Sequence, residues 1–171
     1  MNAAASLPGR FILPPWGHPI CMLENLIRGA MAGLAGTTAL NAVTYADMVW
    51  RGRAASTTPE QVVGELAKRG GRAIPGNDEE RRNRLQGLGA LAGIATGVAV
   101  GAAAGQLHGL ARGVGPVLGP ALIGGAAMAA TDLSMFRLGV TDPRSWDRSS
   151  WLSDAVPHLA YGVVTWALLP R

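Results

Sequence analysis

Leu85-Gln86-Gly87-Leu88-Gly89-Ala90-Leu91-Ala92-Gly93-Ile94-Ala95-Thr96-Gly97-Val98-Ala99-Val100-Gly101-Ala102-Ala103-Ala104-Gly105-Gln106-Leu107-His108-Gly109 carries six glycines at four-residue steps. They are Gly89, Gly93, Gly97, Gly101, Gly105 and Gly109, and no Asp, Glu, Lys or Arg lies between Leu85 and Ala111. A glycine inside a water-exposed helix costs about 1 kcal/mol relative to alanine, so such a repeat argues against a soluble helix. In lipid, small residues at this spacing let two helix backbones approach closely. On a 3.6-residue period, four-residue steps stay on one slowly drifting face. That face packs either against another helix of the same chain or against a second copy, giving a homo-oligomer.

Outward from this segment, three more stretches lack formal charge: Gly29 to Ala46, Gly113 to Thr131 and Ala155 to Pro170. A helix needs about 20 mainly apolar residues to cross a hydrocarbon core of about 30 Å. The expected spans are 28–50, 85–109, 115–136 and 151–170. The chain of 171 residues is long enough for one compact domain. Its charged fraction is 15%, against roughly 25% in an average soluble domain. The expected fold is all-α, an integral membrane bundle of four Gly/Ala-rich transmembrane helices over residues 26–171.

The connections refine this picture. Residues 1–25 read as a flexible leader, with Pro14-Pro15 interrupting an apolar run and no convincing signal peptide. Met22-Leu23-Glu24-Asn25 resembles an ordinary start, so residues 1–21 read as a leader or as lying outside the native chain. Within 51–84, Thr58-Pro59-Glu60-Gln61 predicts a capped helix start and Gly70-Gly71 its end. Val62, Val63, Leu66 and Ala67 share one face of this short amphipathic helix, which suits the membrane surface, the bundle or packing on its own loop. Asp78 is expected to cap the next helix, and Ser150 or Ser153 the last one. The 51–84 and 137–150 connections hold eleven Lys and Arg, against four elsewhere. The positive-inside bias then puts both connections in the cytoplasm and both termini outside. Fourteen of the fifteen basic residues are Arg, which with the Ala/Gly bias suggests a bacterial, GC-rich source.

The net charge of +4 accompanies basic residues that flank apolar segments, so nucleic acid is not an expected partner. The expected partner is the lipid bilayer. The single Cys21 excludes an intrachain disulfide and a cysteine-based metal site. Without a phosphate-binding loop or nucleophile motif, no enzyme activity, cofactor or metal is expected. Polar chemistry concentrates in Asp47, Asp132, Asp154 and His158. Asp154 and His158 share a helix face, and Asn41, Tyr45 and Tyr161 could complete a polar pocket. These carboxylates either cap a helix or pair with Arg51, Arg84 or Arg137, or handle a proton or ion, or contact a substrate or lipid headgroup. Histidine titrates near neutrality, which suits proton exchange. His108 reads as solvated.

The motif Gly139-Val140-Thr141-Asp142-Pro143, followed by Trp151, Ser153-Asp154 and His158-Leu159, resembles the end of YagU-like bacterial inner-membrane proteins. The layout from Met22 onward resembles uncharacterised actinobacterial multi-helix membrane proteins. These resemblances imply a multi-pass place in the cytoplasmic (inner) membrane and carry Asp154 and His158 over as candidates. The leading expectation is a structural or accessory membrane protein that self-associates through the glycine repeat. The alternative is a small proton- or cation-linked transporter or channel using the Asp/His cluster.

Overall fold

A computed structural model describes residues 19–108 and 113–169, and among them there are five α-helices, one short 3-10 helix and no strand. The helices are α1 (Pro19–Arg51), α2 (Thr58–Arg69), α3 (Asp78–Leu107), α4 (Leu118–Leu138) and α5 (Arg148–Leu168). The 3-10 helix covers Pro143–Ser145. The expected spans 28–50, 85–109, 115–136 and 151–170 fall largely on α1, α3, α4 and α5. Among the described residues, only α3 is long and apolar enough to cross a membrane on length and composition. The other three long helices carry Asn41 and Asp47, Asp132, and Asp154 and His158, which dilute their apolar character.

The leader expectation needs correction. Residues 1–18 lie outside the described residues, but 19–25 are already helical. Proline suits the first turn because its φ is fixed near the helical value. The early turns of α1 are then held by α3: the Gln106 side-chain amide donates to the Met22 carbonyl at 2.5 Å. Glu24 and Arg28 pair one turn apart at 2.5 Å.

Each helix start lies earlier than its expected cap, by one residue at α2 and α3 and by three or more at α5. At α2 the cap position is Thr57 rather than Thr58, and Gln61 donates to the Thr57 hydroxyl instead of closing a capping box. At α3 Asn77, not Asp78, accepts from the Glu79 and Glu80 amides, while the Glu80 carboxylate accepts from the Asn77 amide. This reciprocal pair satisfies otherwise orphaned donors. At α5 the cap is Asp147, accepting from the Ser150 amide at 2.7 Å, rather than Ser150 or Ser153. The Ser150 hydroxyl and amide hold the Asp147 carboxyl below the ordinary aspartate range. A group with a lowered folded pKa stabilises above its unfolded pKa and loses that contribution as pH falls through the folded value. The protection of the Ser150 amide, its exchange rate compared with the intrinsic rate at the same pH, should therefore fall as pH drops below the ordinary aspartate range. Asp147→Ala should show the reduced protection at neutral pH, and protection that ignores both changes would remove the cap from this account.

Packing is built on small residues. Gly29 and Gly33 of α1 lie against Gly97, Gly101 and Gly105 of α3, so close that a Cβ on Gly101 would meet the Gly33 and Gly29 backbone. On its other side α1 meets α5, where a Cβ on Gly36 would run into Tyr161 and Thr165. Tyr161 is 1% exposed and its hydroxyl donates to the Gly97 carbonyl of α3 at 2.6 Å. Helices α4 and α5 run antiparallel, with Gly124 against His158, Gly162 against Pro120, and Gly119 against Trp166. The helix α2 has no buried residue; Gly89 of α3 meets its Pro59 and Glu60, and Arg69 donates to the Leu138 carbonyl at 3.1 Å. These contacts set α2 against the bundle rather than on its own loop alone.

The buried apolar core is small: Ala32, Ile123, Ala127, Tyr161 and Leu169. The larger aliphatics point outward. Leu23, Ile27, Met31 and Leu34 line an exposed face of α1, and Leu152, Val156, Leu159 and Val163 line one of α5. Their three- and four-residue spacing makes each set one continuous stripe.

Candidate functional site

The antiparallel contact of α4 and α5 brings Asp132 within electrostatic reach of Asp154 and His158. The close approach requires glycine: a Cβ at Gly124 would sit 2.5 Å from the His158 carbonyl oxygen. His158 is 9% exposed. Its Nδ1 lies 2.8 Å from the Asp154 carbonyl oxygen and 3.3 Å from Asp154 Oδ1. A proton on Nδ1 satisfies both acceptors, which leaves Nε2 to gain or lose one. Pro157, one residue earlier, lies inside α5. It has no N–H to donate, so the Ser153 carbonyl loses its helical partner beside the site.

Two carboxylate oxygens in this cluster are buried with no hydrogen-bond partner, Asp132 Oδ1 and Asp154 Oδ2. Leaving a buried polar group unpaired costs about 1–3 kcal/mol, more when it is charged. Asp154 and His158 in contact, with Asp132 within electrostatic reach, can bind protons in several arrangements. Among the described residues, no group of three or more His, Cys, Asp or Glu is gathered so as to hold a metal ion.

Asp47 is in a different setting. Arg53 Nε lies 2.5 Å from its Oδ2, and Arg51 lies 3.5 Å from its Oδ1. Arg51 also donates to the hydroxyls of Ser149 and Ser153, at 2.6 and 2.7 Å. Asp47 thus belongs to an ion network that clips the end of α1 to the start of α5. Ser153 adjoins Asp154, so this network borders the cluster. Pairing with Arg51, part of one of the three readings of the carboxylates, describes Asp47 but not Asp132 or Asp154. Neither of these has an arginine within ion-pair distance among the described residues.

The remaining polar candidates go elsewhere. Tyr161 turns to Gly97, and Tyr45 is 60% exposed. His108 is not simply solvated: its ring meets Trp166 edge-on at 5.2 Å, and its Nδ1 is buried without a partner. Within the glycine repeat, Gly97, Gly101 and Gly105 meet α1, and Gly89 meets α2. Gly93 has nothing within 4 Å, and Gly109 lies outside the described residues. The roles of Arg53, Ser149 and Pro157 were missed from sequence, although a proline one residue before a candidate histidine was a readable signal.

The Gly139–Pro143 turn is built locally. Gly139 adopts a left-handed conformation (φ 73°) that closes α4, with Val140 N–H donating to the Met135 carbonyl. Asp142 accepts from the Arg144 amide and guanidinium. That bond, and the positive charge, keep the Asp142 carboxyl below its ordinary range.

No protein-family model matches this chain, and no match to it was found among curated proteins or solved structures.

Proposed function

We propose that this chain is a non-enzymatic, multi-pass protein of the bacterial cytoplasmic membrane that handles protons or a proton-linked cation through Asp132, Asp154 and His158. In this reading α1, α3, α4 and α5 all cross the bilayer, with the 51–84 and 137–150 connections in the cytoplasm. The aliphatic stripes on α1 and α5 support it, since soluble monomers rarely expose large contiguous apolar patches. So does an interior of glycine, alanine and threonine, which lets backbones approach where lipid offers no hydrophobic drive between helices. The resemblance to YagU-like proteins accords with the location.

The observation that carries the functional part is the pair of unpartnered carboxylate oxygens beside His158. Ionisable groups inside a membrane segment are costly and commonly mark ion or proton routes. The structural or accessory reading, self-association through the glycine repeat, has less support. Gly97, Gly101 and Gly105 already contact α1, and among the described glycines of the repeat only Gly93 meets nothing.

Purified protein reconstituted in vesicles with a trapped pH dye tests the proposal. An imposed pH gradient should relax faster than in empty vesicles, and an Asp154→Asn, His158→Ala double variant should abolish the difference. Equal flux from wild type and double variant would end the proton-handling reading.

A further inference from the structure

Where α2 meets the start of α3 there is a groove of about 540 Å³, large enough for a ligand headgroup and its first methylenes. Its floor includes Ala67, Ile74 and Leu85, and its edge carries Lys68, Arg72 and Arg81. Leu85 opens the long uncharged stretch of α3, the helix apolar enough to cross a membrane. The groove therefore lies where that helix passes from its charged first turns into its apolar length.

We propose that this groove binds the headgroup of an anionic phospholipid, with the upper part of one acyl chain laid over Leu85 and Ile74. The inference rests on the membrane reading above but not on the Asp/His chemistry. Charge complementarity carries it. Arg72 has no acidic partner among the described residues. Lys68 and Arg81 have only loose neighbours, Glu65 and Asp78, each at 3.6 Å. Exposed pairs of this kind contribute little, so a phosphate can displace them at small cost. The apolar floor selects a lipid over a free anion, because inorganic phosphate gains nothing from Ala67, Ile74 and Leu85. A basic pocket beside a membrane helix on the cytoplasmic side is a setting in which anionic headgroups bind. The amphipathic helix α2, unburied and held against the bundle at Gly89 and Leu138, supplies one wall.

Full-length protein in neutral detergent micelles would be titrated with phosphatidylglycerol or phosphatidylcholine, and bound lipid read by native mass spectrometry. Phosphatidylglycerol should bind at least about tenfold more tightly than phosphatidylcholine, from the attraction of three cations. A Lys68→Gln, Arg72→Gln, Arg81→Gln variant of unchanged helicity should lose that preference. Because Arg81 lies in the first turn of α3, the single Arg72→Gln variant is measured beside it and should lose part of the preference. Arg82→Gln, outside the groove, should keep it. Equal binding of both lipids, full preference in the triple variant, or displacement by millimolar inorganic phosphate would each overturn the assignment. An Asp154→Asn variant without flux should still prefer phosphatidylglycerol, so the two proposals fail separately.

Discussion

Gly101→Leu is expected to unfold the bundle in detergent, while Gly93→Leu leaves it intact. The two glycines are equivalent in the repeat, two steps apart on α3. A Cβ at Gly101 would meet the Gly33 Cα and the Gly29 carbonyl, which are backbone atoms and cannot rotate away. The helices must separate, and the hydrogen bond from Tyr161 to Gly97 goes with them. Overpacking a tight contact costs about 1–3 kcal/mol and more when backbone must move, so we expect a loss of at least about 3 kcal/mol. Gly93 has open space around it, and a larger side chain there lies against solvent or lipid. Thermal unfolding of both variants, followed by helicity, is the measurement. Equal losses would mean that α1 does not occupy the glycine face. An unchanged oligomeric state in a folded Gly93→Leu variant would exclude the one open glycine among the described members of the repeat as a contact between copies.

The second large effect concerns Asp132. Replacing it with leucine should raise stability while abolishing any proton flux. Asp132 Oδ1 is buried without a partner, and no arginine or lysine pairs with it among the described residues. Removing an unsatisfied buried polar atom relieves a penalty of about 1–3 kcal/mol. An apolar side chain of similar volume is commonly neutral or stabilising at such positions. A residue kept for function at the expense of stability behaves in this way. A structural aspartate gives the opposite result, so a fall in unfolding temperature for Asp132→Leu would assign it to the framework. Asp47→Leu provides the contrast: it breaks the link to Arg51 and Arg53 and should destabilise the junction of α1 and α5.

Much of the helical layout was legible in the residues. The four uncharged stretches fall on the four long helices, and Thr58-Pro59 and Gly70-Gly71 bracket α2 to within a residue. Caps were legible only as neighbourhoods. Asn77 won over Asp78 because Glu80 stands three residues after it and can answer its amide. Asp147 won over Ser150 because its carboxylate reaches the Ser150 amide directly. The early start of α1 was hidden because its support comes from Gln106 and Gly105, far along the chain. At the candidate site, the pairing of Asp154 with His158 followed from their four-residue spacing. The separation of Asp47 from that pair depended on Arg53, a loop residue whose reach the helical pattern does not encode.

By itself, the order of residues determined that this chain is helical, where the apolar lengths of its long helices fall, and that some of them must approach backbone to backbone. Those properties depend on neighbours within a turn or two: periodicity, capping residues and the absence of side chains at glycine. Tertiary structure alone decided that Gly97, Gly101 and Gly105 receive Gly29 and Gly33, and that Asp132 comes within electrostatic reach of Asp154 and His158. Several glycine-bearing faces were equally smooth, so the choice among them rested on matching shapes and hydrogen bonds across distant segments, which no local pattern specifies.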